Sequence, residues 1–298
     1  MSYFKMDGQR IAYTEYGGGP AGVVTPSGAR GRTARSAATA SRPLILIHGL
    51  LLSQTMHHPL AKALAARGNR VITIDLLGHG QSDRPSDMWR YSMRSFAEQV
   101  IALMDHLQLE QAAIMGTSLG ANTALEVASS APERLRAMVI EMPVLDNALL
   151  ASALTFTPVL VALTFGKPAM KVLARAARAV PRRLLPHYGN VLLDVVRQDP
   201  EPGGALLQGL FFGRIAPHRV ERRTFTMPAL VLGHRRDPVH PFSDAGMLAE
   251  ELPNARLLEA DSLVELRLRP ERLTGEIAAF LDEAWRSRRT GRGAKSAR

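Results

Sequence analysis

The sequence contains no cysteine among its 298 residues. Disulfides, zinc thiolate clusters and a cysteine nucleophile are therefore excluded, and the absence fits a reducing, cytoplasmic setting. The opening MSYFKMDGQR has no apolar run leading to a small-residue cleavage site, so no secretory signal peptide is expected. Histidine also stops early, since none of the nine follows His240.

Acidic residues are missing from two stretches. Residues 18–42 carry Arg30, Arg32, Arg35 and Arg42, and residues 286–298 carry five arginines and Lys295; together they account for the whole formal charge of +10. The rest of the chain is formally neutral, so the charge does not point to a nucleic-acid partner. Both stretches are rich in Gly, Ser, Ala and Arg and can bury little apolar surface, which reads as a disordered insertion and a basic disordered tail. GGGPAG at 17–22 fits GxGxxG formally, but the Arg/Ser segment after it denies it a helix.

What is present is a rhythm. Short β-rich runs at 44–47, 71–75, 112–116, 137–141, 229–233 and 255–260 alternate with helical patterns near 57–67, 92–107, 119–130 and 244–252 and from Pro270 onward. That order specifies an α/β fold with a parallel sheet and crossover helices. YFKMDGQRIAYTEYG reads as a hairpin turning at Asp7 and Gly8.

Between the fourth and fifth runs the rhythm breaks, and residues 145–222 read as an inserted helical cap. Its uncharged stretch 148–166 approaches the ~20 residues of a membrane span. Crossing would put strands of one sheet on opposite sides of a bilayer, so no span is expected. Pro158 predicts two shorter helices or a kinked one, roofing an apolar pocket, with peripheral membrane contact as the rival role.

Chemistry concentrates after the third of these runs, where Gly116-Thr117-Ser118-Leu119-Gly120 leads into a helix. A turn tight enough to push Ser118 forward crowds its neighbours, and Gly116 and Gly120 leave room where a Cβ would clash. The helix start offers free N–H groups to a developing oxyanion. Gly49 lets the chain turn after His48, so the N–H groups of Leu50 and Leu119 are the expected oxyanion donors. His48 and His79 read as structural. Asp237, in RRDPVHP beyond the strand at 229–233, follows Ser118 in the order a Ser, Asp, His triad requires.

On these motifs, HGLL, DLLGHGQSD, GTSLG and RRDPVHP, the chain resembles the α/β-hydrolase superfamily over residues 1–17 and 43–285. The resemblance implies a mostly parallel eight-stranded sheet flanked by helices. It also implies a cap between the sixth and seventh strands and a serine nucleophile acting on esters or related acyl compounds. The core is then 1–144 and 223–285, the cap 145–222 and the tail 286–298.

One position departs from the family pattern. The histidine expected about seven residues before Pro270 is absent, and Ser262 and Leu263 stand there. VELRLR alternates apolar and charged residues and reads as an extended, half-buried segment. Without a base, Ser118 is a neutral alcohol and a weak nucleophile. The candidate replacements are His240, three residues after Asp237; His57 or His58; and the cap histidines His187 and His218. His240 is preferred as a tentative base. The expectation is thus a cofactor-free and metal-free serine hydrolase acting on an apolar small molecule, and the alternative is a non-hydrolytic ligand-binding or scaffolding relative that has lost its base.

Overall fold

The structure, a computed structural model, describes residues 1–17 and 42–293. The segment expected to be disordered at 18–42 lies outside the described residues except for Arg42, whose guanidinium bonds Asp282.

Eight strands form one sheet: β1 (Ser2–Met6), β2 (Gln9–Tyr16), β3 (Pro43–Ile47), β4 (Arg70–Asp75), β5 (Ala112–Thr117), β6 (Leu135–Glu141), β7 (Ala229–His234) and β8 (Ala255–Ala260). Their order is β1-β2-β4-β3-β5-β6-β7-β8. The β1–β2 and β2–β4 pairs are antiparallel and the others parallel. The β1–β2 hairpin turns at Asp7 and Gly8, both at positive φ (49° and 78°), which the right-handed twist of the strands favours.

The central strands read as unbroken apolar runs because both faces are covered. Ile45 and Ile47 of β3 pack on one side with Phe96, Val100 and Leu125, whereas Leu44 and Leu46 pack on the other with Leu64, Ile277 and Leu281. Helices α1 (His58–Ala65), α2 (Met93–His106) and α3 (Leu119–Ser130) provide the crossovers before β6. Ser92 caps α2 by accepting a hydrogen bond from the Ser95 N–H at 3.1 Å.

Between β6 and β7 come α4 (Leu149–Phe165), α5 (Lys167–Ala179), α6 (His187–Val196), α7 (Pro200–Phe212) and α8 (Arg219–Arg222). Of the two forms expected here, the structure has one helix rather than two, since α4 runs through Pro158. Proline removes the donor for the Leu154 carbonyl, but Leu154 is exposed, so water can serve that oxygen.

Three helices complete the fold: α9 (Phe242–Glu251), α10 (Glu265–Leu268) and α11 (Glu271–Gly293). Two expectations fail there. VELRLR is not extended, because Glu265 to Leu268 form the helical turn α10. Glu265 accepts the Asp261 N–H (2.6 Å) and both prongs of Arg272 (2.8 Å each), which closes the turn and buries Leu266. The basic tail does not begin disordered, since α11 continues to Gly293. Its first turns are fixed by core packing through Leu273, Ile277 and Phe280, and adding residues to a formed helix is easier than starting one. Residues 294–298 lie outside the described residues.

Candidate active site

Parallel register brings the carboxyl ends of four strands to one edge: Ile47 lies beside Gly116, Thr117 beside Glu141, and Glu141 beside Leu232. Functional groups in open α/β sheets collect at this edge. The turn from β5 into α3 puts Ser118 there at φ 54° and ψ −111°. Such a conformation costs a non-glycine residue about 1–3 kcal/mol and needs support from its surroundings. The Ser118 N–H donates to the Glu141 carbonyl (2.9 Å), and the Ser118 carbonyl accepts the Asn122 N–H (3.0 Å). A Cβ on Gly116 would overlap the Gly120 carbonyl, and one on Gly120 would overlap the Ile47 carbonyl, so both glycines are required by close backbone approach.

The loop between β7 and α9 brings a carboxylate and an imidazole together. Asp237 Oδ1 accepts the backbone N–H groups of Val239 (2.8 Å) and His240 (2.9 Å), and its Oδ2 lies 2.9 Å from His240 Nδ1. Pro238 and Pro241 fix φ on either side of this turn. His240 Nε2 then lies 2.8 Å from Ser118 Oγ. With Nδ1–H donating to the carboxylate, Nε2 is left to accept the serine proton. Partial burial alone would raise the Asp237 pKa, but the hydrogen bond and charge of His240 outweigh it and hold the carboxyl below its ordinary range.

Leu50 and Leu119 line the same cavity as Ser118, and neither amide donates a hydrogen bond within the described residues. The cavity is about 250 Å³, walled by apolar side chains of the core and cap, among them Met93, Leu149, Phe156, Leu207 and Ile215. A larger cleft of about 840 Å³ lies elsewhere, lined by Arg84, Arg197 and Asp199 among others; it contains neither Ser118 nor His240. Chemistry, not size, therefore identifies the site.

The other histidines have structural partners. His57 is fully buried, with Nε2 3.1 Å from the Ile47 carbonyl, and its pKa is pushed down to about 3 by burial and then by the charge of Arg267. His48 Nε2 accepts the Leu76 N–H (3.1 Å), tying the end of β3 to that of β4. His79 lies against the Leu77 carbonyl at 3.1 Å. His187 Nε2 is 2.9 Å from the Thr55 carbonyl, and the backbone N–H of His218 is held by Glu221. His58 is not hydrogen-bonded to Ser118 and stacks near His187 and Tyr16. Among the described residues no group of three or more His, Asp or Glu side chains could hold a metal ion.

Three supporting residues escape sequence reasoning. Arg267 Nη2 reaches Glu141 Oε2 (2.8 Å) and Thr117 Oγ1 (3.2 Å), placing an ion pair under the nucleophile turn. Burial would raise the Glu141 pKa, yet the charge of Arg267 and the Thr117 hydroxyl hold it down. Asn122 Nδ2 donates to the carbonyls of Val144 (2.7 Å) and Ile215 (2.9 Å), joining both ends of the cap to α3. Asp244 accepts the N–H groups of Leu145, Asn147 and Ala148, anchoring the chain that leads into α4. An asparagine four residues beyond Ser118, in the first turns of the helix behind it, was the one signal available.

A serine held at a strained strand-to-helix turn, two unengaged amides beside it and a histidine–aspartate pair across from it define a class of site that recurs in α/β enzymes. The model of the alpha/beta hydrolase fold family matches residues 42–262, and the chain belongs to that family. It is similar to 2-hydroxymuconate semialdehyde hydrolase of Pseudomonas sp. strain CF600, 36% identical over 100 residues, covering 33% of this chain and 35% of that protein. An uncharacterised protein of Mycobacterium tuberculosis is 25% identical over 258 residues, covering 80% of this chain and 75% of that one. The alignments to the first curated relatives span only 25% to 35% of those proteins' lengths. Among solved structures, the enol-lactonase of Burkholderia xenovorans LB400 superposes with a TM-score of 0.70 at 22% identity, over 94% of this chain and 100% of that one, a likeness of fold.

Proposed function

We propose that the protein is a serine hydrolase that cleaves a carboxylic ester or related acyl bond of an apolar small molecule. One observation carries the reading: the unbroken hydrogen-bond chain from Ser118 Oγ through His240 to Asp237, at 2.8 and 2.9 Å. As His240 Nε2 takes its proton, Ser118 Oγ attacks the acyl carbon, and Asp237 stabilises the imidazolium. The carbonyl oxygen becomes an oxyanion facing the amides of Leu50 and Leu119. His240 returns the proton to the departing alkoxide, releasing an alcohol and leaving Ser118 acylated. Water, deprotonated by His240, then attacks the acyl-enzyme, and the acid departs with Ser118 restored.

The apolar cavity wall supports an apolar acyl group, and hydrolase and lactonase relatives support the reaction class. The rival is a binding protein without a base, and the 2.8 Å approach of His240 Nε2 to Ser118 Oγ supports the hydrolase reading over it. Fluorophosphonate labelling of the full chain tests the proposal, together with p-nitrophenyl ester turnover over a range of acyl lengths. Labelling and turnover are expected, both abolished in Ser118→Ala. Absence of labelling in the folded wild-type protein would overturn the reading.

A further inference from the structure

The cap carries a surface that the proposed reaction does not use. Helix α4 is apolar all round. Leu149, Ser152, Ala153 and Phe156 wall the cavity, while Leu150, Leu154, Val161 and Phe165 form a second stripe on the solvent side. Leu150, Leu154 and Phe165 are 71%, 68% and 82% exposed. A helix that is apolar on every face is normally buried or in contact with lipid, and this one has only Leu163 buried.

By length and composition Asp146–Phe165, at 20 residues, could cross a bilayer. It cannot do so here, because β6 and β7, on either side of the insertion, pair directly in one sheet. The helix can only lie along a surface.

Charge says which surface. From Asn147 to Leu193 the sequence has no acidic residue and carries Lys167, Lys171, Arg175, Arg178, Arg182 and Arg183. Lys167 and Arg182 pair with Glu201 and Asp194, but Lys171, Arg175 and Arg183 have no ion pair among the described residues. Valine and leucine beside them, Val172 and Leu173, are exposed. A second copy docked face to face would oppose these cations with the same cations. An exposed apolar stripe followed along the chain by unpaired cations instead complements anionic headgroups over an acyl layer.

We infer that the α4–α5 face of the cap docks on an anionic lipid surface, with the outer stripe of α4 sunk to the headgroup boundary and the cations of α5 against the phosphates. The docking does not rest on the hydrolase reading. If both hold, the inner stripe of α4 walls the cavity while its outer stripe touches lipid, a short route for an apolar substrate.

The absence of cysteine makes the test direct. A single Leu154→Cys, or Glu283→Cys on α11 as control, is labelled with an environment-sensitive fluorophore in the full chain. Each is mixed with phosphatidylcholine vesicles with or without phosphatidylserine. The expected result is salt-sensitive binding to the anionic vesicles, with a blue shift at position 154 and none at 283. Lys171→Gln/Arg175→Gln is expected to weaken binding about thirtyfold, at roughly 1 kcal/mol for each charge removed. Leu154→Gln/Phe165→Gln, which keeps every charge, should weaken it at least tenfold while leaving thermal unfolding and fluorophosphonate labelling unchanged. Binding without a shift at 154, or binding untouched by the Leu154→Gln/Phe165→Gln pair, would assign the affinity to the basic terminal residues and overturn the proposal. So would no binding at all, or a dimer in sedimentation that this pair dissociates.

Discussion

His240 Nδ1 lies 2.9 Å from Asp237 Oδ2 although the two residues are only three apart in the chain. One short loop therefore provides both the imidazole that faces Ser118 and the carboxylate that orients it. The arrangement works because the other carboxylate oxygen, Oδ1, holds the N–H groups of Val239 and His240, so the acid shapes the loop and aligns the ring at once.

If that pair is the working half of a triad, His240→Ala should lower kcat about a million-fold and Asp237→Asn about ten-thousand-fold. Asparagine keeps the Oδ1 contacts to the backbone and so should preserve the loop while favouring the wrong tautomer. Leu263→Ala, at the half-exposed position where the family pattern expects a histidine, should leave kcat within about twofold. Steady-state ester kinetics on the three variants provide the check, and a collapse of activity in Leu263→Ala would contradict the assignment.

The Arg267–Glu141 pair predicts a stability ordering. Both side chains are largely enclosed, at 14% and 1% exposure. Arg267→Met leaves a carboxylate buried without its cation and should cost about 3–5 kcal/mol. Arg267→Met/Glu141→Met removes the stranded charge and should cost less than the single change. Urea unfolding of the three proteins measures this. Equal losses in the single and double variants would mean that the pair contributes nothing as a pair.

Histidine 57 predicts how stability varies with pH. It is buried in the folded protein with its pKa pushed down to about 3, against an ordinary value near 6.5. Between those values the unfolded chain binds a proton that the folded chain refuses, so stability falls as pH drops from about 6.5 and levels off near 3. The slope from this one group is about 1.4 kcal/mol per pH unit. His57→Gln retains a donor for the Ile47 carbonyl and cannot titrate. Its loss of stability between pH 6 and 4 should be shallower than wild type by about that slope, read from urea midpoints at each pH.

Much of the fold was legible because the central strands are buried on both faces, as in ILI of β3, and because glycine at 116 and 120 answers a requirement of close approach. Ser118, Leu50 and Leu119 line one cavity, and Asp237 holds His240 beside it. The base was harder. Nothing in the spacing of Asp237 and His240 says whether Nε2 points across the sheet edge or into solvent; that depends on the length of β7 and on the two prolines acting together. VELRLR misled for a related reason. Its alternation matches a strand, but Glu265 closes a helical turn through Asp261 and Arg272, partners outside the alternating stretch. Asn122, Asp244 and Arg267 act on groups 22 or more positions away, a separation that local pattern does not encode.

Placing the carboxylate and the imidazole on one loop has a further consequence for the chain beyond β8. In this geometry residues 261–264 make no hydrogen bond to Ser118, His240 or Asp237, and Leu263 and Val264 face solvent in part. The backbone there is engaged, with the Ser262 carbonyl 3.0 Å from His234 Nδ1 and the Asp261 N–H on Glu265, but the side chains at 263 and 264 are open to replacement. A small reporter attached through Leu263→Cys would keep those two backbone bonds and leave Ser118, His240 and Asp237 untouched, an attachment point that a hydrolase drawing its histidine from this loop does not offer.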